Sequence, residues 1–147
     1  MGVGNEMMGD DAAGSLAARE LLRKLKIQDS KFKISIIETG TTPENFTGQI
    51  QRFGPDLVLV IDAADMEKPV GEIAFLDPAA MHSMMHSTHT MPLSFLAGYI
   101  GKVTGAKVIA LGIQAGQINL DVPMNRTVAE SVKQLVQFLI SRLCPER

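Results

Sequence analysis

The sequence predicts an α/β fold: a mainly parallel, doubly wound sheet flanked by helices on both faces, an α/β/α sandwich with an apparently truncated first strand. Three observations carry the prediction. The run Asp56-Leu-Val-Leu-Val-Ile-Asp62 is continuously apolar between two carboxylates, the pattern of a strand covered on both faces. Short β-branched runs alternate with amphipathic stretches of one to four helical turns, which is the signature of βαβ connections. The first fourteen residues, Met1 to Gly14, place glycines and an Asn ahead of two adjacent acids, Asp10 and Asp11, so a tight turn delivers carboxylates to the mouth of a helix.

That first helix is expected over Ala12 to Ile27. Leu16, Ala17, Leu21, Leu22 and Leu25 recur at helical spacing, with Arg19, Glu20, Arg23, Lys24 and Lys26 on the other side. Asp10 suits its N-cap, and the basic last turns suit the negative end of its dipole. Phe32 to Ile37 (FKISII) reads as a strand. Thr42-Pro43-Glu44 starts a helix that runs to Phe53 and stops at Gly54-Pro55. The apolar run ending at Asp62 is the next strand, and Glu72 to Leu76 is another. Pro92 to Val103 reads as a helix, Ala106 to Ile113 as a strand, and Thr127 to Leu143 as a long terminal helix burying Val128, Val132, Leu135, Val136 and Leu139. A strand–turn–helix unit at the start requires a strand before the Gly2–Asp11 turn, and almost no residues precede it. The expectation is a start placed too far downstream, with a cost in stability.

At 147 residues the chain fits a single domain, 1–147, able to bury about 70% of its unfolded surface. Apolar residues make up 46% and charged residues 20%, the composition of an ordinary globular protein. The 14 basic and 16 acidic residues form no block of one sign, which argues against nucleic acid or an anionic membrane as partner. No apolar run approaches the ~20 residues of a membrane span, so membrane insertion is not expected. The start lacks a signal-peptide pattern, and Glu6 stands where myristoylation needs Ser or Thr; a cytoplasmic protein is expected. Cys144 is the single cysteine, and it reads as a reduced packing or surface thiol.

In an open parallel sheet, ligands bind beyond the carboxyl ends of the strands. Asp11 after the first turn, Glu38 after FKISII, Asp62 after LVLVI and Gln114 after VIALGI would crowd that rim. Each also has an ordinary reading: Asp11 as a first-turn acid, Asp62 as a satisfied loop acid, Glu38 and Gln114 as polar rim groups. His82, His86 and His89, all the histidines of the chain, share one segment at i, i+4 and i+7, a spacing that suits a metal or simply an exposed loop. The methionines around them read as adaptable packing or a soft partner surface. A dinucleotide fingerprint fails because Met7 occupies the third glycine position, and no phosphate loop or Gly-x-Ser-x-Gly elbow occurs.

Several separated segments together resemble one family. Gly4-Asn5-Glu-Met-Met-Gly9-Asp10-Asp11-Ala-Ala-Gly14, Pro43-Glu44-Asn45, Asp62-Ala-Ala-Asp65-Met66, Gly71-Glu72-Ile73, Thr88-His89-Thr90-Met91-Pro92-Leu93 and Leu111-Gly112-Ile113-Gln114 are similar to the hydrogenase maturation endopeptidases, peptidase family M52, of the hydrogenase 3 (formate hydrogenlyase) type. The resemblance implies a nickel-dependent endopeptidase that removes the C-terminal tail of a [NiFe] hydrogenase large-subunit precursor after nickel insertion. It implies that Asp11, Asp62 and His89 contact the metal and carry catalysis, whereas Asp10, Asp65, His82 and His86 do not. The nickel would be supplied by the substrate, with no permanent cofactor. Two carboxylates and an imidazole leave positions open on a divalent ion, which can then polarise a carbonyl or activate water. The alternatives are a non-catalytic nickel-binding or carrier module using the His segment, and a small-molecule hydrolase with a deep apolar pocket at the rim.

Overall fold

The computed structural model describes residues 1–76 and 92–144. Five strands form one sheet in the order β2-β1-β3-β5-β4: β1 (Gly2–Val3), β2 (Glu38–Gly40), β3 (Leu57–Ala64), β4 (Ile73–Phe75) and β5 (Lys107–Gln114). The first four strands in that order run parallel, and β4 is antiparallel to β5. The helices are α1 (Ala13–Lys24), α2 (Thr47–Phe53), α3 (Leu93–Thr104) and α4 (Arg126–Leu143).

The continuous apolar strand is central because both its faces are covered. Val58 and Val60 pack with Ile50 of α2 and Leu96 and Ile100 of α3. Ile61 and Ala63 pack with Ala13, Ala17 and Leu21 of α1 and with Val128, Val132, Leu135 and Val136 of α4. Alternation along a strand assigns successive side chains to opposite faces, so a sheet sandwiched between helix pairs is the consequence of an uninterrupted apolar β3. β3 and β5 pair in register from Leu57↔Lys107 to Ala64↔Gln114.

Three expectations change. The strand expected at Phe32 to Ile37 lies instead at Glu38–Gly40. Pairing decides this: β1 is two residues long, and Gly2 and Gly4 donate to Ile37 O and Gly40 O at 2.9 and 3.0 Å, so the β-branched run meets the ladder only at its last residue and the pairing continues through Glu38–Gly40. The first helix ends at Lys24, where Leu25 turns extended, and a 3-10 turn covers Ile27–Asp29. The helix from Thr42 opens as a 3-10 turn, Pro43–Phe46, before α2, and Gly54 closes it with φ +64°.

In the chain beginning at Met1, the α-ammonium donates to Leu59 O at 2.6 Å. Burial lowers its pKa to about 6 from 8.0. A folded-state value below the unfolded one means that the unfolded chain binds the proton more readily. Stability is therefore full above pH 8 and falls as pH drops toward 6, by roughly 2–3 kcal/mol in all. Urea midpoints of the chain beginning at Met1 should rise between pH 6 and 8, and acetylating the α-amino group should flatten that rise.

Candidate active site

The sheet order places the reversal of winding between β1 and β3: the chain leaves β1 over α1 toward β2 and returns over α2 to β3 on the other side. Such a switch point opens a crevice at the carboxyl ends of the two strands. Asp11 follows β1, and Asp62 lies near the carboxyl end of β3. Both are almost fully buried, at 1% and 3% exposure.

Asp11 reaches that position through a 3-10 turn, Gly9–Ala12, that precedes α1 and packs against β3. The turn can lie this close to the sheet because of glycine. A Cβ at Gly14 would stand 2.1 Å from Ile61 O and 2.2 Å from Val3 O, so only glycine lets the first turn of α1 touch β1 and β3 together. The Asn5 N–H donates to Asp11 Oδ2 at 3.1 Å, while Asn5 Oδ1 accepts from Met7 N at 3.0 Å. A charged acceptor of a backbone N–H is a strong hydrogen bond, and it orients the Asp11 carboxylate. Ser15, fully buried, donates from Oγ to Gly4 O at 3.2 Å and secures the same turn.

Asp10 does not cap α1, contrary to expectation. The cap position belongs to Ala12, without a side-chain bond, because the 3-10 turn displaces the helix start. The Asp10 carboxylate is fully buried and accepts three backbone N–H groups from the loop after β5: Gly116 at 2.7 Å, Gln117 at 2.9 Å and Asn125 at 2.6 Å. The two adjacent acids therefore do different work, one stapling two rim loops and the other presented at the switch point.

Asp62 shares the strand face of Val58 and Val60 by alternation, on the side of α2 and α3. β3 continues two residues past it to Ala64, so it is a strand residue and not the group just beyond the strand. Glu38 leaves the predicted rim cluster. It opens β2, and Arg19 of α1 donates to it at 2.6 Å; that bond raises the Arg19 guanidinium further above its ordinary value. Gln114 is at the rim as expected, as the last residue of β5, but its amide is committed to structure. Its Oε1 accepts from Met66 N at 2.6 Å and Lys68 N at 3.2 Å, and its Nε2 donates to Asp65 Oδ1 at 3.2 Å.

His82, His86 and His89 lie outside the described residues. Among the described residues no group of three or more His, Cys, Asp or Glu side chains is placed to hold a metal ion. Also among them, no helix is long and apolar enough to cross a membrane. The chain resumes at Pro92, and α3 ends at Thr104, two residues before Ala106 leads into β5. The start of α3 is thereby at the carboxyl end of the sheet, where Leu93 packs into the cluster that holds Ala64 and Met66. The bonds around Asp10 were not foreseen; their only sequence signal was Asn125, a good cap two residues before Thr127, to whose N–H its side chain indeed bonds at 2.9 Å.

Comparison with known proteins places this arrangement. Residues 17–142 match the family model HycI, hydrogenase maturation protease. A putative hydrogenase maturation protease of Methanocaldococcus jannaschii is 36% identical over 143 residues, which span 95% of this chain and 84% of that one. The hydrogenase 3 maturation protease of Escherichia coli K12 is 36% identical over 138 residues, 93% of this chain and 85% of the relative. The crystal structure of the [NiFe] hydrogenase maturation protease HycI from Thermococcus kodakarensis superposes with a TM-score of 0.85 at 32% identity, covering 97% of this chain and 88% of that one. The match to the family model and the extent of identity lead to one conclusion: the chain belongs to the hydrogenase maturation protease family and is a proteolytic enzyme.

Proposed function

We propose that this single domain acts in the cytoplasm as an endopeptidase that removes the C-terminal tail of a [NiFe] hydrogenase large-subunit precursor once nickel has been inserted. Asp11, Asp62 and His89 grip the substrate's nickel, and the neighbouring peptide bond is positioned for attack by water. One observation carries this reading: two buried carboxylates, Asp11 in the turn after β1 and Asp62 in β3, belong to the two arms that flank the switch-point crevice. Oxygen ligands with an imidazole suit a divalent transition metal. His89 belongs to the motif Thr88-His89-Thr90-Met91-Pro92-Leu93, and Pro92 stands at the N-cap of α3.

In such a grip the nickel serves as a Lewis acid on the carbonyl or on the attacking water. The chain's own residues orient it: Asn5 fixes the Asp11 carboxylate, and β3 fixes Asp62. Water adds to the carbonyl carbon, the C–N bond breaks, and the amine of the released tail takes up a proton. Cleavage is thereby conditional on the metal's arrival.

The test is incubation with nickel-loaded and nickel-free precursor. Tail removal from the loaded form alone is expected. Nickel held tightly by the chain in isolation and lost on changing His82 and His86, with no tail removed, would establish a carrier module instead.

A further inference from the structure

Asp62 pairs with Gly112 in the β3–β5 ladder. Residues opposite one another in a parallel sheet present their side chains to the same face, on strands about 4.8 Å apart, so the place a side chain at position 112 would take is directly beside Asp62. That place is already filled. A Cβ on Gly112 would stand 2.7 Å from Leu76 Cδ2 and 2.8 Å from Met66 Sδ, well inside the ~3.5 Å of a favourable nonbonded contact. Leu76, buried, and Met66, partly buried, both belong to the apolar cluster on the α2–α3 side of the sheet, with Val58 and Val60. Met66 is held there by its backbone. Gln114, 5% exposed, accepts from Met66 N at 2.6 Å and Lys68 N at 3.2 Å, while its Nε2 donates to Ala115 O at 2.9 Å and Asp65 Oδ1 at 3.2 Å. The main chain of Gln114 is tied in turn, its N–H to Glu72 O at 2.8 Å and its carbonyl to Gly71 N at 2.9 Å.

We propose that Met66, laid over Gly112 and anchored by Gln114, is a positioning residue for Asp62: with Leu76 it walls the β5 side of the carboxylate, limits its rotation and keeps water from it. The inference rests on the protease reading, in which Asp62 holds the substrate's metal, and it adds a residue that acts only through Asp62. Neither wall residue carries an N–H or O–H, so on that side nothing competes with a cation for the carboxylate oxygens. Excluding water also strengthens the attraction between a carboxylate and a cation. Rotation matters because a misplacement of about 1 Å in a reacting group can cost about a hundredfold in rate. Glycine at 112 leaves the room, and the unbranched methionine chain fills it as such chains fill irregular gaps.

The experiment is steady-state cleavage of nickel-loaded large-subunit precursor, at a temperature where thermal melts show every variant folded. Wild type is compared with Met66→Ala, Met66→Leu, Gly112→Ala, the Met66→Ala/Gly112→Ala double variant and Ile100→Ala. Met66→Ala opens the wall and Gly112→Ala pushes the thioether out of it, and each should lower kcat roughly tenfold. Met66→Leu nearly conserves volume and should stay within about twofold of wild type. In the double variant the new methyl enters space already vacated, so its loss should not exceed that of either single change, against about a hundredfold for independent sites. Ile100, fully buried in the same cluster on the second half of α3, is the control: Ile100→Ala opens a cavity that should lower Tm at least as far as Met66→Ala and leave kcat within about twofold. Cleavage by wild type with an unchanged kcat in Met66→Ala, an equal loss in Met66→Leu or Ile100→Ala, or additive losses in the double variant, each overturns the positioning role alone. Wild type that leaves the loaded precursor uncut overturns the protease reading and the positioning role with it.

Discussion

Asp62→Asn is expected to slow tail removal from nickel-loaded precursor by roughly a thousandfold or more, with the chain still folded. The two side chains have the same shape, and Asp62 lies in the β3–β5 ladder opposite Gly112, so backbone pairing survives the change. What the amide lacks is negative charge, and a neutral amide oxygen is a poor ligand for a divalent transition metal. The residue is 3% exposed, so no bulk water is at hand to substitute for the lost charge. Tail release would be followed by gel shift of the precursor, and folding by thermal melts. A variant that trims the precursor at the wild-type rate removes Asp62 from the mechanism.

The second large effect concerns stability. Asp10→Ala should cost about 3 kcal/mol or more, because three backbone N–H groups lose a charged acceptor in a site with no exposure. Near 150 residues, each kcal/mol lowers Tm by about 2–4 °C, so a fall of roughly 6–12 °C is expected. Asp10→Asn keeps one acceptor oxygen but turns its NH₂ toward backbone donors, and it should fall nearly as far. Asp11→Asn keeps the shape that receives Asn5 N and should retain most of the wild-type Tm while losing cleavage. That pair of outcomes would separate a structural acid from one that acts in cleavage. Equal melting temperatures for Asp10→Ala and wild type would contradict the staple.

The fold was legible wherever a pattern is local. The apolar run 57–61, the heptad-like burial along the terminal helix and the Gly-Pro stop after Phe53 each depend on residues a few positions apart, and the observed β3, α4 and α2 follow them. Phe32 to Ile37 was misread because β propensity reports fitness for a pleated surface and not the presence of a partner. The assignment of Asp10 to a helix cap failed for a related reason: an Asp before an Ala-rich helix satisfies the local rule, yet its acceptors are used by Gly116, Gln117 and Asn125, more than a hundred residues away. Glu38 was drawn to the rim by the same displaced strand.

By itself the sequence determined the class of the fold and the kinship with hydrogenase maturation proteases, and it offered Asp11 and Asp62 as candidates. Periodicity, glycine placement and motif spacing are properties of the chain and need no coordinates. Only the tertiary structure decided which strands neighbour one another, and hence that Asp11 and Asp62 flank the switch point between β1 and β3. It also decided that Asp10 is a staple and that Gln114 serves the loop at Met66 and Lys68. Those outcomes depend on strand order and on long-range hydrogen bonds, which follow from burying both faces of one sheet at once and leave no local trace in the sequence.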